Sequence, residues 1–139
     1  MSFEIDHYAE WVAALDKHEA ELKNGTAPRW EGTRTGQDLR MALGTYKLRC
    51  FAARICQKKA AIWARLDKLD ALRLHLINKH HWTLAEARQV ETEEDFVFLL
   101  QEELLQMKLT EAEANPVRQW TGHKVYKSEF EQHFEALAP

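Results

Sequence analysis

Apolar residues in this chain recur mainly at three- and four-residue intervals, the spacing that gives a helix one apolar face. From Phe3 to Asn24 the positions Ile5, Tyr8, Trp11, Val12, Leu15 and Leu22 follow that rule, and Asn24-Gly25 is a helix stop. The next stretch, TAPRWEGTRTG, reads as a loop because Pro28, Gly32 and Gly36 crowd it. Thr35, three residues before Asp38, is placed to cap a second segment.

That second segment runs from Gln37 to His80 with no proline and one glycine, Gly44. Leu48, Ala52, Ile55, Lys59, Ile62, Leu66, Leu69, Arg73 and Leu76 alternate by four and three, a heptad-like seam with two charged interruptions. It is either one unbroken helix, along which the cations from Arg40 to Lys79 would span about 58 Å, or, with a break at Gly44 or near Leu66-Asp67, two helices of ordinary length. Thr83 with Glu86 opens a short helix, and Thr92 with Asp95 opens another spanning EEDFVFLLQEELLQMKL. Thr110 with Glu113 starts a further turn that Asn115-Pro116 should stop. VRQWTGHKVY has some strand character, and Ser128 with Glu131 caps a last helix carrying Phe130, Phe134 and Leu137. The pattern predicts an all-α bundle of five to six helices in a single domain over residues 1–139, with one or two long central helices. Trp63, Leu66, Leu69, Leu76, Phe96, Leu99, Leu100 and Leu104 should share its core, with Trp11 also inside.

Charge changes this picture. The net charge of −3 conceals a segregation: residues 40–81 hold ten Lys or Arg against two Asp, whereas both flanks are acidic. Arg40, Lys47, Arg54, Lys58, Arg65, Lys68 and Lys79 occupy two heptad positions that adjoin on a helix surface. A like-signed stripe is suited to meeting something negative. The target is nucleic acid, an acidic partner, or the chain's own acids, notably Glu91, Glu93, Glu94, Asp95, Glu102 and Glu103. Phosphate contacts need no fixed motif, and no recognition-helix or finger motif accompanies the stripe. Weak or no binding to random duplex DNA is therefore expected at physiological salt.

Catalytic motifs add nothing to this. Five glycines and two serines leave no phosphate-cradling loop or nucleophile elbow. Seven scattered histidines and two cysteines form no set with zinc spacing, so neither metal nor cofactor is expected. Cys50 and Cys56 lie six apart and face different ways on a helix, which suits buried thiols in a reducing cytoplasm. No apolar run is long enough for a membrane span, and no secretory leader is visible. Among five tryptophans, Trp30 and Trp120 fall in predicted loops beside arginines, as interface anchors or as covers for the bundle end. WTLAEAR followed by DFVFLLQEEL resembles small helical accessory proteins of phages and prophages, without the residue set of any one family. The expectation is a cytoplasmic, non-enzymatic adaptor or regulator that binds protein, as an oligomer through the segment-two seam and the apolar face of residues 96–107. A nucleic-acid-binding module is the alternative, and a small helical enzyme ranks third.

Overall fold

The computed structural model describes residues 6–30, 36–122 and 126–136. These hold eight helices: α1 (His7–Asn24), α2 (Gln37–Lys59), α3 (Lys68–His80), α4 (Leu84–Arg88), α5 (Glu93–Leu99), α6 (Gln101–Gln106), α7 (Glu111–Thr121) and α8 (Lys127–Glu131). The fold is all-α. Among the described residues, no helix is long and apolar enough to cross a membrane.

Local chemistry sets most boundaries. Asp6 caps α1 by accepting from the Ala9 N–H at 3.0 Å, and Gly25 closes it with φ of 72°. Thr83 and Thr110 each form a full capping box, with Glu86 and Glu113 respectively, and Thr92 accepts from the Asp95 N–H at 3.2 Å. The start of α2 differs from expectation. Its N-cap is Gly36, with φ of 83° and no side-chain cap; Asp38 accepts from the neighbouring Leu39 N–H instead, and Thr35 lies outside the described residues. A Cβ on Gly36 would come within 2.6 Å of the Tyr126 ring, so sterics as well as φ reserve this position for glycine.

The basic segment is two helices. Asp67 accepts from the Asp70 N–H at 2.8 Å and starts α3 afresh, and α3 folds back along α2. Leu48 and Ala52 then meet Leu72 and Leu76 within one chain, so this part of the seam is buried internally. Phe96, Leu100 and Leu104 are buried in the same cluster, which likewise consumes the inner face of residues 96–107. A second cluster joins α1, the first half of α2, α7 and α8 through Trp11, Leu15, Leu43, Tyr46, Val117 and Phe130. Helix α2 contributes to both.

Four expectations are corrected. Trp63 is not core but 85% exposed, because the helix has ended before it; Leu66, Leu69 and Leu99 are half-buried. The long helix over residues 93–109 breaks at Leu100, whose φ of −105° and ψ of 16° leave α geometry. Helix α7 continues through Pro116 and takes in residues 117–121 of the stretch given strand character; residues 123–125 of that stretch lie outside the described residues. Pro116 leaves the Ala112 carbonyl without its helical donor, but Ala112 is exposed, where water can serve that carbonyl, and the buried ring and Val117 anchor the helix. The last helix is a five-residue α8 with Ser128 inside it; Phe134 leaves the helix and Glu135 and His133 pair with Leu109 at 2.8 Å on either side. Leu137 lies outside the described residues.

Leu100 is fully buried at the α5–α6 break. Leu100→Ala should cost roughly 2–5 kcal/mol in a denaturant melt. A loss below about 0.5 kcal/mol would remove Leu100 from the core.

Candidate functional site

Tracing each cation of the stripe to its partner shows what the stripe does. Arg40 holds Glu129 through two hydrogen bonds of 2.8 and 3.1 Å. Arg54 grips both oxygens of Glu113 and donates to the Lys108 carbonyl at 2.9 Å. Lys68 reaches Glu10 at 3.1 Å, and Lys79 reaches Glu103 at 3.0 Å. Two cations off the stripe extend the pattern: Arg49 is bidentate to Glu93 at 2.8 and 2.9 Å, and Lys17 bridges Glu93 and Glu94. Much of the stripe is therefore matched by the chain's own acids.

The electrostatics agree with the geometry. Hydrogen bonds from Arg49 hold the Glu93 carboxyl below its usual range against its burial, and those from Arg40 do the same for Glu129. Burial pushes Glu113 upward, but Arg54 and the Thr110 backbone outweigh it and leave that carboxyl low as well. Tyr46 donates to the Glu113 carbonyl at 2.5 Å, so α1, α2 and α7 converge at one buried junction.

Lys47 breaks the pattern: it is 3% exposed and meets His133 Nδ1 at 3.1 Å rather than a carboxylate. Lys58 and Arg65 are exposed and make no ion pair among the described residues. They flank the turn between α2 and α3, closed by an isolated bridge between Ala61 and Ala64. At its tip stand Ile62, 102% exposed, and Trp63. Lys59 is exposed as well, so exposed cations flank these two apolar side chains on both sides in the chain.

Beyond the other end of α3 lies a feature of opposite character. A groove of about 380 Å³ is lined by the apolar side chains of Trp82, Val90, Phe98 and Leu99 together with Glu86 and Asp95. Phe98 is 76% exposed. The Thr83 backbone and hydroxyl keep the Glu86 carboxyl low, so this acid is ionised at neutral pH.

Of the aromatics proposed as interface anchors, Trp30 stands at the mouth of the groove that holds Lys47, and Trp120 lies on α7 rather than in a loop. The tip was hidden in the sequence because Ile62 and Trp63 sit in phase with the seam. Asp67 followed by Asp70 was the one local sign of a new helix start. Glu113 showed itself only as a capping residue, and His133 gave no signal. Comparison of the chain with protein-family models, curated proteins and solved structures returns no match.

The pairs make the fold acid-sensitive. Glu93, Glu113 and Glu129 titrate lower when folded than the ordinary glutamate value of 4.5. Their stabilisation is present above that value and is lost as pH falls through it toward the folded values, so melting temperature should drop between about pH 5 and pH 3. Glu113→Gln should cost about 1–3 kcal/mol at neutral pH and blunt the acid response. An unchanged melting curve from pH 7 to pH 3 would refute the clamp.

Proposed function

We propose that this chain is a non-enzymatic helical adaptor that acts by protein–protein binding, and that its first partner is a second copy of itself. One observation carries the reading: Ile62 and Trp63 are exposed at the tip of a closed turn whose flanking residues Lys58, Lys59 and Arg65 are exposed cations. An exposed apolar pair costs free energy in water and is commonly the mark of a docking element. Its complement is the groove lined by Phe98, Glu86 and Asp95. The basic flanks suit the acidic side chains of that groove, and the apolar tip suits its apolar ones.

Tip and groove lie at opposite ends of α3, a helix of 13 residues and about 20 Å. Neither can therefore reach the other in the same molecule, and the contact is head-to-tail. Such contacts generate rings or open chains of subunits. The nucleic-acid reading is weakened because Arg40, Arg54, Lys68 and Lys79 are engaged by glutamates. With the three flanking cations left for phosphate, the log–log salt slope would be only about −3. A gel shift at about 0.15 M salt should show no submicromolar binding to random duplex DNA.

Light scattering should show mass rising with concentration in the micromolar range. Ile62→Ser with Trp63→Ser should abolish that rise while leaving the melting temperature within a few degrees. Two charge variants make the test specific. Reversal of Lys58, Lys59 and Arg65 to Glu should prevent assembly, and so should Asp95→Lys; mixing the two variants should restore it. A monomer for the unaltered chain at high micromolar concentration would sink self-assembly and leave an acidic protein of another kind as the tip's partner. Assembly unaffected by the serine pair would dismiss the tip altogether.

A further inference from the structure

Lys47 is the one stripe cation that is buried among the described residues, and it is bonded to an imidazole rather than to a carboxylate. Burial, reinforced by Lys108 and Arg54, pushes its amine down to about 8. His133 is lowered by the same burial and by Lys47 and Lys108. Carboxylates do stand in the walls around this pair, but they are engaged elsewhere: Glu94 by Lys17 and Glu129 by Arg40. Nature has other ways to fill such a position. A methionine would pack there without the desolvation cost of an ammonium group.

The Lys47–His133 pair is also not sealed in. It lines a groove of about 600 Å³ between α2, α5–α6 and α8, whose other walls include Leu43, Val97, Leu104, Leu105 and Phe130. That volume lies within the range of sites for small organic ligands, which are mostly apolar with a few convergent polar groups. The groove is distinct from the tip and from the acidic groove beside Phe98, so what it binds is independent of self-assembly.

We propose that this groove is a binding site for an amphipathic monoanion, an aliphatic carboxylate whose chain lies along Leu43, Val97, Leu104 and Phe130 and whose head group meets the Lys47 ammonium that His133 holds in place. Lys47 donates one N–H to His133 Nδ1 at 3.1 Å, which fixes the ammonium group and leaves its other N–H groups for a carboxylate. A single negative charge suits the site better than two, since Glu94 and Glu129 remain in the walls and repel a dianion. The carboxylate supplies the counter-charge that Lys47 otherwise lacks. Binding involves no chemical step.

Isothermal titration with decanoate, decan-1-ol and acetate separates the contributions of head and chain. Decanoate should bind about tenfold or more tightly than either of the others. Lys47→Met should weaken decanoate by about tenfold, leave decan-1-ol unchanged and keep or raise the melting temperature. His133→Gln should give a smaller loss and serves as the second variant if Lys47→Met folds poorly. The double variant Ile62→Ser with Trp63→Ser should leave decanoate binding intact, which separates this site from the tip. Equal binding of decanoate and decan-1-ol, no binding of decanoate at millimolar concentration, or undiminished decanoate affinity in the Lys47 and His133 variants would overturn the assignment.

Discussion

Helix α2 is the constraint on which the rest of the molecule depends. It contributes to both hydrophobic clusters, so nearly every other element must find its place against a helix that carries cations around much of its surface. Packing apolar faces onto it is possible because an arriving segment brings a glutamate to meet the cation it would otherwise cover. Glu93 arrives with α5, Glu113 with α7 and Glu129 with α8. Burial of Leu48, Tyr46 and Phe130 supplies the driving force. The ion pairs decide which helix sits where, since a mismatched register would bury a cation without its partner.

The junction at Glu113 shows how the two kinds of order combine. One residue closes the capping box of α7 with Thr110, accepts from Arg54 through its carboxylate and accepts from Tyr46 through its backbone carbonyl. A helix start, an interhelical ion pair and a buried hydroxyl are thus satisfied together. That convergence helps explain why α7 survives a proline in its middle. Tertiary contacts through Val117 and Pro116 outweigh the one backbone hydrogen bond the proline removes.

Satisfying α2 leaves residues over, and these form the surfaces proposed above to bind. Folding α3 back against α2 requires a turn, and that turn carries Ile62 and Trp63 out of the seam into solvent. The break at Leu100 turns the chain so that Leu100 and Leu104 stay inside, while Phe98 and Leu105 face outward. Lys47 is buried by the same packing without receiving a carboxylate. Among the described residues, exceptions to the matching of apolar with apolar and cation with anion include the tip, the groove beside Phe98 and the groove holding Lys47.

The sequence alone determined the helical class, the N-terminal caps at Thr83, Thr92 and Thr110, the apolar faces of Phe96, Leu100, Leu104 and Leu76, and the segregation of charge, because each depends on residues within a few positions of one another. Cap chemistry is local, and a three-to-four periodicity describes a helix wherever that helix lies. Tertiary structure alone decided where the long segments end, which glutamate takes which cation, and that Trp63 is outside while Lys47 is inside. Those outcomes turn on contacts between residues far apart in the chain, such as Arg54 with Glu113 and Lys47 with His133. A periodic pattern cannot register them, because an apolar residue in phase with a seam looks the same whether the helix continues through it or has already turned.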